Sequence, residues 1–127
     1  MKKVLLVVFS IALSIIFTFT CTSSALAAET SNGAKIFKDN CAACHIGGGN
    51  ILIAEKSLKK EALLNYLENY ETAQIEAIVY QVQNGKNAMP AFKGKLSEQE
   101  ILQVAAYVFQ KAEQGWERKI EQENPLK

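Results

Sequence analysis

Histidine occurs once in this 127-residue chain, proline and methionine twice each, tryptophan once and cysteine three times. One of the methionines is the initiator, and one cysteine, Cys21, lies in the N-terminal segment. Two remaining cysteines are too few for a disulfide-stapled scaffold. With a single histidine they also fall short of the four protein ligands of a structural zinc site. A basic excess is missing too: 14 Lys and Arg stand against 13 Asp and Glu, a formal charge of +1. So even a balance excludes a nucleic-acid binder. There is no alternating strand pattern, no internal repeat and no low-complexity tract, which leaves an all-helical reading and excludes the βαβ setting of a thioredoxin-like cysteine pair. Beyond the first 20 residues, no apolar run approaches the roughly 20 residues that span a bilayer.

That first run has the marks of a secretory signal. Met1, Lys2 and Lys3 are followed by an apolar stretch over 4–19, broken only by Ser10, Ser14 and Thr18, and then by small residues with Ala25 and Ala27 in an A-x-A arrangement. Cleavage is expected after Ala27, giving a signal peptide over 1–27 and a single mature domain over 28–127. The alternative is an uncleaved anchor, for which the run is short. Cys21 is expected to leave with the signal rather than to carry a lipid. Losing Lys2 and Lys3 takes the basic count from 14 to 12 against 13 acidic residues, so the mature charge becomes −1.

Within the mature domain, a first helix is predicted over 30–38, with Thr30, Ser31 or Asn32 as candidate caps. A loop over 40–56 contains Gly47-Gly48-Gly49. A second helix is predicted from Ser57, its cap, with Leu58, Leu63, Leu64 and Leu67 at helical spacing. A third over 72–83 carries Ile75, Ile78, Val79 and Val82, with Asn84-Gly85 as its stop. The sequence SEQE (97–100) is a capping box, opening a last helix with Ile101, Val104, Ala105 and Val108 inward and Gly115 at its end.

The chemistry lies in CAACH (41–45), the attachment signature of c-type haem. Thiols three positions apart, Cys41 and Cys44, suit the two vinyl groups along one porphyrin edge. His45 follows directly and, as the sole histidine, has no competitor as proximal iron ligand. A vacant sixth position would then call for one more donor. Met89, the only internal thioether, sits in the polar loop NGKNAMPAF (84–92). His with Met is the pair that cytochromes c use, and soft sulfur favours ferrous iron. The alternative for Met89 is ordinary packing. With both axial positions taken by protein, the expected role is electron transfer and not catalysis at iron, the chemistry being that of the cofactor.

GAKIF (33–37), NCAACH (40–45) with its glycine-rich continuation, KSL (56–58), YQVQNGKNAMPAF (80–92), VAAYV (104–108) and GW (115–116) together resemble the cytochrome c6 family. The resemblance implies an all-α, class I cytochrome c fold of about four to five helices around one covalently bound haem c. In such a fold the first and last helices cross, with Gly33 allowing close approach and Phe37 and Tyr107 packed nearby. It implies that Gln81 lies near the haem and supports a high potential, and that Asn50 and Lys56 order the loop around the haem edge and its propionates. The implied role is a soluble carrier, not an enzyme. It would run from the cytochrome b6f complex to photosystem I in the thylakoid lumen, with a terminal oxidase as a further acceptor, and work as a monomer that neither spans a membrane nor binds nucleic acid. Read from the residues alone, Lys86, Lys93 and Lys95 flank Met89 and either form an ordinary solvated face, the default for lysine, or steer an acidic partner. Members usually stop near Gly-Trp, whereas a charged extension, ERKIEQENPLK (117–127), follows here. The competing readings are a small-ligand sensor with a labile Met89, to be separated by carbon monoxide binding, and a fixed haem c subunit, to be separated by the mature N-terminus.

Overall fold

The computed structural model describes the backbone of residues 23–116 and the side chains of residues 31–116. Most of the expected signal peptide, Cys21 and the 117–127 extension lie outside the described residues. Six α-helical segments follow in order: α1 (Ser23–Asn40), α2 (Ala42–His45), α3 (Lys60–Tyr66), α4 (Tyr70–Ala73), α5 (Ile75–Asn84) and α6 (Glu98–Gln114). A 3-10 turn, Ile46–Gly48, follows α2. Two of the six segments are single turns, which is why the count exceeds the four to five expected. Among the described residues there is no strand, only isolated bridges pairing Lys86 with Met89 and Lys93 with Leu96.

The last helix organises the core. Ile101, Val104, Ala105, Val108 and Ala112 recur at spacings of three and four, and all are buried. They pack with Phe37 of α1, Leu63 of α3, Tyr70 of α4, and Ala77, Ile78 and Val82 of α5. Each large aliphatic on that face contributes about 1.5–3 kcal/mol by leaving water. Where α1 crosses α6, a methyl added to Gly33 would run into the Gln103 carbonyl and come within 2.8 Å of Tyr107 Cβ. Only glycine lets the two backbones approach so closely. Away from the crossing, Lys60 of α3 donates to Glu113 of α6 at 2.8 Å.

The ends of the helices separate expectation from structure. The Ser97–Glu100 box is present in both directions: Ser97 Oγ accepts from the Glu100 N–H, and the Glu100 carboxylate accepts from the Ser97 N–H. Gly85 and Gly115 stop α5 and α6 with positive φ. By contrast, Thr30, Ser31 and Asn32 lie inside α1, not at its cap, because the alanine-rich stretch before them is itself a strong helix former. Ser57 does not cap α3 either: the helix starts at Lys60, and the Ser57 hydroxyl accepts from the Lys59 N–H at 3.5 Å. The expected 72–83 helix is divided, since Gln74 has φ +42° between α4 and α5. None of the described helices is long and apolar enough to cross a membrane.

Candidate functional site

The CAACH quintet forms one tight helical turn. The Cys44 and His45 N–H groups both donate to the Cys41 carbonyl, at 3.1 and 2.9 Å. Residues three apart on such a turn share a face, and both cysteines are free thiols, Cys41 half-buried and Cys44 exposed. Burial pushes the Cys41 thiol up to about 11, with Cys44 adding to the effect, so the group is neutral at physiological pH. The chain then reverses through Gly47 and Gly48, both with positive φ. This reversal brings the Gly49 carbonyl within 2.9 Å of His45 Nδ1. A carbonyl can only accept, so Nδ1 carries the proton and the lone pair of a neutral ring resides on Nε2. A backbone partner on the far nitrogen is what orients metal-binding histidines.

Asn50 organises the next stretch. Its Oδ1 accepts from the Leu52 and Ile53 N–H groups at 3.0 and 3.1 Å, and its Nδ2 donates to the Lys56 carbonyl at 3.0 Å. Lys56 therefore joins this loop through its backbone, while its ammonium lies 5.9 Å from the Tyr66 ring centroid. Around the loop, Ile46, Ile51 and Leu52 are 71%, 61% and 64% exposed.

Met89 sits in a loop whose backbone is fixed at both ends. Lys86 and Met89 exchange two N–H···O=C bonds of 3.0 Å, with Asn87 in the left-handed region between them. The Phe92 and Lys93 N–H groups return to the Val82 and Gln83 carbonyls at 2.9 and 3.3 Å, meeting acceptors that the end of α5 would otherwise leave open. Gly85 lies beneath this loop, where a methyl would come within 2.5 Å of the Met89 carbonyl and 2.7 Å of Ala91 N. Within it the Met89 side chain packs against the core. The Gln81 amide N–H donates to Met89 Sδ at 3.8 Å. One sulfur lone pair is thereby engaged and the other is free for a soft metal.

These donors fit a covalently attached haem. Two free thiols on one turn, an imidazole with its Nε2 lone pair available and a positioned thioether are the required set. No group of three or more His, Cys, Asp or Glu among the described residues could hold a different metal ion. Sequence reasoning singled out Cys41, Cys44, His45, Met89, Gln81, Asn50 and Lys56. It named Gly49 only as part of a glycine-rich loop and Gly85 only as a helix stop, because Gly49 acts through a carbonyl that every residue possesses and the further role of Gly85 depends on the packing of a loop above it.

Comparison with known proteins places the chain in a family. The domain family described as cytochrome c oxidase, cbb3-type, subunit III, matches residues 28–108. Cytochrome c6 of Thermosynechococcus vestitus is 52% identical over 116 residues, covering 91% of this chain and 98% of its own length. Cytochrome c6 of a Nostoc species is 55% identical over 117 residues, covering 91% and 99%. The structure of cytochrome c6 from the diatom Phaeodactylum tricornutum superposes with a TM-score of 0.64 at 53% identity, covering 68% of this chain and 98% of its own. Domain family and relatives agree on a c-type cytochrome. They differ in setting, and the relatives reach nearly the whole chain where the domain match stops at residue 108. The chain belongs to the cytochrome c6 family and is an electron-transfer protein carrying one covalently bound haem c.

Proposed function

We propose that Cys41 and Cys44 form the thioether links, that His45 Nε2 and Met89 Sδ are the axial iron ligands, and that the mature domain, 28–127, shuttles electrons from the cytochrome b6f complex to photosystem I in the thylakoid lumen. When bound, the haem supplies a one-electron ferric/ferrous couple. The observation that carries the reading is that the chain itself holds both donors: His45 by the Gly49 carbonyl, and Met89 by its doubly bonded turn and by Gln81. Ligands fixed in this way need little rearrangement when iron changes charge, which suits outer-sphere transfer. Two protein ligands also leave no coordination position for a substrate. The cyanobacterial relatives and the leader sequence support the lumenal setting. Exposed Lys86, Lys93 and Lys95 surround the Met89 loop and supply local positive charge for docking an acidic surface.

A visible-spectrum redox titration of the haem-loaded mature protein tests the ligation. The wild type is expected to show one low-spin haem with a clearly positive midpoint. Met89→Ala is expected to lose the low-spin signature and to fall in potential by on the order of 0.1–0.3 V, a fraction of the roughly 0.8 V over which axial ligands set haem potentials. An unchanged spectrum and midpoint in the variant would rule Met89 out. The route is tested by flash-oxidising photosystem I and adding the reduced protein: re-reduction that does not accelerate with its concentration rejects that acceptor. A fixed oxidase-type subunit is the second reading, prompted by the name of the matching domain family. A mature N-terminus near Ala28 argues against it, because the apolar leader would then be gone.

A further inference from the structure

Trp116, the only tryptophan, follows the end of α6 and lies against a loop that carries His45's partner. Its ring is fixed by Phe37 of α1, with centroids 5.1 Å apart, and by Tyr107 of α6 at 6.1 Å in an edge-on arrangement. The indole Nε1–H donates to the Leu58 carbonyl at 2.8 Å. Leu58 in turn donates its N–H to the Gly48 carbonyl at 2.7 Å. Gly48 is buried, and a methyl there would fall inside the indole ring, so the ring lies directly on the glycine backbone. The next residue, Gly49, provides the carbonyl that His45 Nδ1–H bonds.

We infer that Trp116 is a positioning residue for the His45 imidazole: by clamping Gly48 and Leu58 it fixes the Gly49 carbonyl, and with it the ring orientation and donor strength of the proximal ligand. Aromatic packing alone would require neither the indole N–H nor a glycine beneath the ring, and both are present. A carbonyl partner on the distal nitrogen raises imidazole basicity. Loosening that partner weakens His45 as a donor to ferric iron, and the midpoint rises. The inference rests on His45 being the axial ligand.

The test compares Trp116→Phe, which keeps a ring and loses the N–H, and Gly48→Ala, which attacks the same contact from the other side, with Ser97→Ala, which weakens α6 far from the loop. In the reduced, haem-loaded protein, proton NMR reads the His45 ring shifts and the exchange rate of Nδ1–H, and a titration reads the midpoint. Both clamp variants are expected to speed Nδ1–H exchange by about fivefold, as befits loss of one hydrogen bond, and to raise the midpoint. Ser97→Ala is expected to leave both readings unchanged. Exchange altered by less than about twofold in Trp116→Phe, or altered equally in Ser97→Ala, overturns the inference. A wild-type His45 without the large upfield ring-current shifts of a haem ligand overturns the ligation itself, visibly and before any variant is made.

Discussion

Tyr70 is 2% exposed, and its hydroxyl has no hydrogen-bond partner among the described residues. An orphaned buried hydroxyl costs about 1–3 kcal/mol, so Tyr70→Phe, which keeps the ring in the core, is expected to be neutral or stabilising by up to about 1 kcal/mol. Thermal unfolding measures this, and a clear loss of stability would show that the hydroxyl is engaged. Burial, and then the nearby Glu113 carboxylate, raise the Tyr70 phenol above its ordinary value. The unfolded phenol therefore ionises first, and the wild type should lose stability relative to the variant as pH rises past about 10. At this scale CAACH was legible because covalent chemistry demands given residue types at a fixed spacing. Gly49 and Leu58 were not, since each contributes a main-chain carbonyl, and no side chain advertises that.

Among the elements, α6 carries the clearest local code. The Ser97 N–H, and then its hydroxyl, hold the Glu100 carboxylate below its usual value. A depressed folded value means that the contribution is present above the unfolded carboxylate range and lost as pH falls through the folded one. Ser97→Ala is expected to cost about 1 kcal/mol at neutral pH, and its gap from the wild type should narrow in acid, as denaturant titrations across pH would show. A gap that stays constant would detach the cap from the Glu100 charge. This box was readable as S-x-x-E because a cap uses side chains at fixed offsets. The break at Gln74 was not readable, for its positive φ occurs without a glycine or proline to mark it. Nor was the late start of α3, where Ser57 offered a good cap that the chain passes over to reach Gly48.

For the molecule as a whole, the crossing of α1 and α6 at Gly33 closes the fold. Gly33→Val is expected to cost about 3 kcal/mol, because the obstacles are the Gln103 backbone and the root of Tyr107, not the far end of a flexible side chain. The denaturation midpoint of the haem-loaded protein reports it, and an unchanged midpoint would mean that the helices can slide apart freely. Helical periodicity disclosed which faces are apolar; it does not say which faces meet, and the crossing was expected only through resemblance. The positions that meet there lie about seventy residues apart, and Ile101, Val104, Ala105, Val108 and Ala112 come from the last of the described helices. A chain cut short before α6 therefore lacks the apolar face against which Phe37, Leu63, Tyr70, Ala77, Ile78 and Val82 pack.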